Sequence, residues 1–150
     1  MPQSLSYILV HVVFSTKDRA PTLGAAVRPA LQAYLATVAR NAGCECYRVG
    51  GTADHVHLAV RLSRTTAACE LVETLKISSS KWMKTQSPDC PGFSWQRGYG
   101  SVSVGPRDLE GLRRYIDNQE EHHRVLSFQE EYRAFLDTNE IEYDERYVWD

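Results

Sequence analysis

Apolar and β-branched residues run together from Tyr7 to Phe14, broken by His11, and this pattern predicts a strand buried on at least one face. From Thr22 to Ala42 the period changes. Leu23, Val27, Leu31, Tyr34, Leu35 and Val38 recur at helical spacing, Gly43 marks the stop, and Pro29 either kinks the helix or opens its second part. Two short β-rich runs follow, Cys46 to Val49 and Val56 to Leu62; the glycine-containing segment Gly50 to Asp54 between them suits an antiparallel hairpin. Thr66 to Lys84 returns to helical period, with Ala68, Leu71, Val72, Leu75, Ser79 and Trp82 facing inward and Lys76, Lys81 and Lys84 outward. The strongest break is Ser87 to Gly92, which holds Pro88, Pro91 and Gly92. Beyond it, Phe93 to Gln96 and Tyr99 to Val104 read as strands, and Leu109 to His122 as a helix preceded by Pro106. Ser127 and Glu130 form a capping box that opens a last helix to about Leu136.

The order β-α-β-β-α-β predicts an α+β fold, the ferredoxin-like split β-α-β sandwich. In it an antiparallel sheet carries helices on one face, here with an added C-terminal helix and acidic tail. A chain of 150 residues with 43% hydrophobic and 24% charged side chains matches one globular domain, so residues 127–150 are expected to belong with 1–126. The net charge of −2 argues against a uniformly basic nucleic-acid binder, but it is unevenly spread. Residues 1–126 carry 15 basic and 11 acidic side chains, whereas residues 127–150 carry 2 and 8, so a mildly basic body precedes an acidic tail. The run from Tyr7 to Phe14 is too short to span a membrane and has no basic region before it; a cytoplasmic chain without membrane partners is expected. Cys44, Cys46, Cys69 and Cys90 include no CxxC pair, which reads as reduced thiols, with a metal contact by Cys44 and Cys46 as the alternative.

The densest chemical signal is Asp54-His55-Val56-His57-Leu58. Side chains two apart on a strand share a face, so His55 and His57 present two imidazoles together while Val56 enters the core. An HxH pair alone also arises by chance. On the Leu109 to His122 helix, Tyr115 and Gln119 are four apart and neighbours, with Asn118 beside them and His122 on the Tyr115 face. Taken alone, Tyr115 fits an ordinary amphipathic helix with its hydroxyl in water. His11 reads as a packed, hydrogen-bonded histidine and Trp82 as core, while Trp95 and Tyr99 are candidates for stacking on an unpaired base.

Jointly, the His-x-His strand and a helix bearing Tyr-x-x-Asn-Gln about sixty residues later resemble the small single-tyrosine HUH transposases of bacterial insertion sequences, relatives of the REP-associated tyrosine transposases. Further similar stretches are Val12 to Lys17, Leu75 to Trp82 (LKISSSKW) and Trp95 to Val104 (WQRGYGSVSV), so the resemblance spans Tyr7 to about Tyr147. It implies that 1–126 is the catalytic part of the domain and that the protein cleaves and rejoins single-stranded DNA with hairpin ends through a covalent 5′-phosphotyrosine. It further implies Tyr115 as nucleophile, His55, His57 and Gln119 as ligands of Mg²⁺ or Mn²⁺, and a homodimer in which one subunit's tyrosine helix can complete the other's histidine site. Two imidazoles and a carboxamide suit Mn²⁺ better than Mg²⁺ by softness, which leaves the ion open. Basic side chains suited to the DNA backbone are Lys17, Arg19, Lys76, Lys81, Lys84, Arg97, Arg113 and Arg114.

Two rival readings compete. A histidine-triad phosphoesterase lacks its third histidine here, because Ala59 stands in that place. A domesticated, non-catalytic protein that binds single-stranded DNA or RNA hairpins would keep the fold without needing an intact His55, His57, Tyr115 and Gln119.

Overall fold

The computed structural model describes residues 2–86 and 92–150. The expected break at Ser87 to Gly92 falls almost wholly outside them, as does Cys90. Among the described residues the chain forms β1 (Leu9–Ser15), α1 (Arg28–Asn41), β2 (Glu45–Gly51), β3 (His55–Arg61), α2 (Ala68–Gln86), β4 (Gly100–Val104), α3 (Leu109–Asp117), α4 (Gln119–His122) and α5 (Phe128–Thr138). The strands form one antiparallel sheet in the order β2-β3-β1-β4, the arrangement that the split β-α-β pattern predicts. Among the described residues, no helix is long and apolar enough to cross a membrane.

Strand alternation divides the core in two. Val10, Val12, Phe14, Val56, Leu58 and Val60 point to the face covered by α1 and α2, where Leu31, Leu35, Leu71 and Leu75 are fully buried. Burying such side chains contributes roughly 1.5–3 kcal/mol each and gives the sandwich its main cohesion. The other face, with His11, Val13, His55, His57 and Ala59, is covered by the chain that follows β4. Leu112 and Ile116 of α3 pack on Ala59, and Phe128, Tyr132 and Leu136 of α5 pack on Val13. The serine half of the expected capping box forms, with the Glu130 N–H donating to Ser127 Oγ at 3.1 Å, while the Glu130 carboxylate accepts from the Ser127 hydroxyl (3.0 Å) rather than from its backbone N–H. The acidic tail folds back onto α5 through Tyr143, Val148 and Trp149, while Tyr147 stays exposed.

Three expectations are corrected. The first helix begins at Arg28 rather than Thr22, with Pro29 in its opening turn. Leu23 is nevertheless fully buried, but it packs from a loop whose backbone is tied to the Ala53 carbonyl (2.9 Å). Phe93 to Gln96 forms no strand: a single bridge joins Thr16 and Trp95, and the Gln96 side chain accepts from the Ser15 N–H at 2.7 Å instead. The expected helix Leu109 to His122 breaks at Asn118, whose φ of −93° and ψ of 14° separate α3 from α4.

Candidate metal and tyrosine site

β3 sets His55 and His57 side by side on the second face, each at most 1% exposed, with Ser15 and Val13 of β1 opposite them. Gly50 pairs with His57 from the other side. Its missing side chain matters, because a Cβ there would lie 2.6 Å from Ile116 Cγ2 and 2.7 Å from the Ile116 carbonyl oxygen. Glycine thus lets α3 rest directly on the sheet, which brings Tyr115 to His57 with ring centroids 5.6 Å apart. The break at Asn118 then turns Gln119 inward, where it is 1% exposed and Oε1 lies 2.9 Å from His55 Nε2.

α5 brings a further group into this cluster. Glu131 is 3% exposed and its two oxygens serve different neighbours. Oε1 lies 3.1 Å from His57 Nε2, 3.0 Å from His123 Nε2 and 3.5 Å from His55 Nε2. Oε2 accepts hydrogen bonds from the Tyr115 hydroxyl and from Gln119 Nε2 (3.0 Å), with His122 Nε2 at 3.3 Å. The far nitrogens are also held. His55 Nδ1 meets Asp54 Oδ1 at 2.7 Å, His57 Nδ1 meets His11 Nε2 at 2.8 Å, and His123 Nδ1 donates to the Leu126 carbonyl at 2.6 Å. His11 is therefore the packed, hydrogen-bonded histidine expected. The expected alignment of His122 with Tyr115 holds (ring centroids 5.6 Å), yet it is His123 that reaches Gln119 Oε1, at 3.1 Å.

Burial depresses the His57 pKa to about 4 against the pull of Glu131, and burial with the neighbouring His57 takes His11 to about 3. For Glu131, burial opposes ionisation, but hydrogen bonds from His123 and His57 more than reverse this and hold it charged. Burial likewise opposes charge on His123, whose pKa ends raised because of Glu131. Burial and then the Glu131 hydrogen bond push the Tyr115 phenol up, so it rests neutral.

A stability profile follows. His11 and His57 titrate below their unfolded value of about 6.5, so the unfolded chain takes up protons that the folded chain refuses. Stability is lost as pH falls from about 6.5 towards 4, by about 2 kcal/mol per histidine at pH 5, partly offset by His123. Urea unfolding of the protein in chelator should show lower stability at pH 5 than at pH 7; a flat profile contradicts the neutral imidazole pair.

The structure distributes the expected DNA contacts unevenly. Lys17, Lys81, Lys84, Arg97 and Arg114 are exposed. Lys81, Lys84 and Arg97 border, with the exposed ring of Tyr99, a groove of about 540 Å³ along α2. Arg107 and Arg114 border a second groove of about 740 Å³ that opens onto Tyr115 and Glu131. Lys76 departs from its expected role: its Nζ donates to the carbonyls of Gln96 (2.8 Å), Arg97 (3.2 Å) and Gly98 (2.6 Å), and burial lowers its pKa to about 8. Arg19 lies over the Trp149 ring, and Arg113 pairs with Glu110 beside the Tyr47 ring. Trp95 is buried, donates to Ser79 Oγ (2.9 Å) and packs edge-on to Phe14, so it is core rather than a stacking platform. Trp82 is half-buried and stacked on Tyr34. Among the described residues, neither Cys44 nor Cys46 joins a cluster of metal-ligating side chains.

Glu131 and His123 are the site residues that the sequence did not single out. A signal existed: Phe128, Tyr132 and Leu136 repeat every four positions, and Glu131 falls on the same stripe. A carboxylate on an apolar stripe requires buried partners, since an unpaired buried charge is too costly.

A family model described as "Transposase IS200 like" matches residues 4–119, which takes in His55, His57, Tyr115 and Gln119 and stops before His123 and Glu131. Among solved structures, the chain is similar to a protein of Deinococcus radiodurans R1 described as a candidate transposase, with a TM-score of 0.62 and 24% identity over 79% of this chain and 98% of that one. It is also similar to a REP-associated tyrosine transposase bound to a REP hairpin, with a TM-score of 0.60 and 14% identity over 84% of this chain and 76% of that one. No curated protein matches. At these identities the structural likeness establishes the fold.

Proposed function

This chain belongs to the IS200-like transposase family, and on that premise we propose that it cuts and rejoins single-stranded DNA at hairpin-bearing ends with Tyr115 as the nucleophile. The observation that carries this reading is that one chain gathers Tyr115, His55, His57 and Gln119 around a single buried point. That favours a working site completed within the chain. Dimerisation, which the sequence resemblance implies, then bears on holding two DNA ends rather than on assembling the chemistry.

The donor set fits a divalent cation. His55 and His57 turn Nε2 inward, and Gln119 presents its oxygen because its amide nitrogen donates to Glu131. An ion held there, Mn²⁺ or Mg²⁺, would supply charge neutralisation at the attacked phosphate and so favour in-line displacement. The remaining work falls to the chain. An unperturbed phenol costs about 4 kcal/mol to ionise at pH 7, and here burial and Glu131 raise that cost further. Attack therefore requires an acceptor for the phenol proton, and Glu131 Oε2 already accepts its hydrogen bond. Tyr115 Oη forms the bond to phosphorus, the P–O3′ bond breaks, and the freed 3′ oxygen takes a proton from solvent and leaves as a hydroxyl, while Glu131 returns the phenol proton to solvent. One phosphodiester replaces another, so the return attack by a 3′ hydroxyl reseals DNA without ATP. The groove bordered by Arg107 and Arg114 supplies cations at the mouth of the site for the DNA backbone.

Purified protein mixed with 3′-labelled single-stranded oligonucleotides covering both flanks of its gene, with Mn²⁺ or Mg²⁺, tests the proposal. A protein–DNA adduct on a denaturing gel, lost in chelator, is expected. Tight hairpin binding with no adduct at any flank would favour the non-catalytic binding module instead.

A further inference from the structure

Three imidazoles, not two, bring Nε2 to the Gln119 and Glu131 oxygens. The His123 Nδ1 contact is a backbone carbonyl, which accepts only, so Nδ1 carries a proton in either charge state and Nε2 is the nitrogen turned inward, donating to Glu131 when protonated and free to offer its lone pair to a cation when not. His55 has the same arrangement towards the Asp54 carboxylate. These inward nitrogens face oxygens that only accept. His55 Nε2 lies 2.9 Å and His123 Nε2 3.1 Å from Gln119 Oε1, while His57 Nε2 lies 3.1 Å and His123 Nε2 3.0 Å from Glu131 Oε1. Gln119 cannot relieve this by flipping its amide, since its nitrogen already donates to Glu131 Oε2. Converging acceptors at 2.9–3.5 Å repel unless a proton or a cation lies among them. Ligands bound at about 2.1 Å at right angles around one ion are separated by about 3 Å, the spacing each imidazole nitrogen keeps from the Gln119 or Glu131 oxygen beside it.

The geometry points to an enlarged metal centre in which His123 and Glu131 bind the same ion as His55, His57 and Gln119. It rests on the reading of the histidine pair as metal ligands and extends it. His123 and Glu131 lie C-terminal to the residues that the family model matches, so α5 and the turn before it act as part of the metal site rather than as a cover for the sheet. The two Glu131 oxygens divide the work: Oε1 faces the ion, and Oε2 takes the Tyr115 hydrogen bond, linking the nucleophile to the metal through one carboxylate. A charged ligand also raises affinity more than a fourth neutral donor would and, with three nitrogens, favours Mn²⁺ over Mg²⁺.

Titration of the purified, DNA-free protein with Mn²⁺ alone, followed by calorimetry and by the loss of the free-ion resonance signal, reads this directly. The wild type is expected to bind one ion per chain, and His57→Ala to lose it. Glu131→Gln and His123→Gln are each expected to weaken binding by at least about 10–100-fold, the range that loss of a mere supporting partner already produces. Circular dichroism verifies folding, and His123→Ala serves if either conservative variant fails to fold. Unchanged or tighter Mn²⁺ binding in either folded variant, with His57→Ala still weakened, overturns the enlarged centre and leaves the histidine pair standing. Unchanged binding in His57→Ala as well overturns the underlying metal reading.

Discussion

Tyr115→Phe is expected to abolish the covalent DNA adduct and strand transfer, by at least about 10⁴-fold in rate, while the protein remains folded and still binds its hairpin. The variant removes one oxygen from a half-buried ring. In the resting protein that oxygen does little beyond donating to Glu131, which keeps His57, His123 and Gln119 as partners, so the loss in stability should be only about 1 kcal/mol. In the reaction the same oxygen becomes the atom bonded to phosphorus, and no neighbour replaces it. Of the three imidazoles whose rings lie within 6 Å of Tyr115, His122 is the least buried, and its Nε2 lies 3.3 Å from Glu131 Oε2. Adduct formation timed on denaturing gels, beside hairpin binding measured by gel shift, separates the two effects. Adduct in the phenylalanine variant at the wild-type rate would refute the assignment.

His57→Ala is expected to be nearly as damaging to cleavage, by at least about 10³-fold, since an ion supplies several kcal/mol of charge stabilisation and each 1.36 kcal/mol is tenfold. It differs from Tyr115→Phe by also destabilising the fold. His57 is the central member of a chain running from His11 Nε2 through both of its nitrogens to Glu131 Oε1, all buried. Alanine leaves two buried polar groups short of a partner, at about 1–3 kcal/mol each, and opens a cavity beneath α3. Urea unfolding in chelator should therefore show a clearly larger loss for His57→Ala than the roughly 1 kcal/mol expected for Tyr115→Phe. Equal stability of the two variants would contradict the buried network.

Period explains what was legible. The HxH pair announces itself because alternate strand residues share a face, and Tyr115 with Gln119 because four residues make about one helical turn. Both regularities survive folding, as does the element order that sets the sheet β2-β3-β1-β4. Features decided by tertiary partners were hidden. Leu23 and Val27 continue the helical period of α1, yet Leu23 is drawn down onto Ala53 and the helix starts only at Arg28. Trp95 sits in a β-rich run beside exposed Tyr99, but a hydroxyl on α2, Ser79, takes its N–H and pulls it into the core. Lys76 looks like any outward lysine until three carbonyls of the loop 96–98 converge on it. Glu131 looked like one more charge in an acidic tail. Only the packing of α5 over Val13 turns it towards four imidazoles and a phenol.

The central claim is that Tyr115 becomes covalently joined to DNA at the histidine site, and peptide mapping of the adduct tests it most directly. Wild-type protein reacted with the cleaved flank oligonucleotide in Mn²⁺ is digested with nuclease and then trypsin, which cuts after Arg114 and Arg124 and leaves Tyr115 at the start of its peptide. The expected result is a nucleotide-phosphate mass on Tyr115 that is absent in chelator and in His57→Ala. The same mass on any other residue, or cleavage with no covalent mass on the protein, would contradict it.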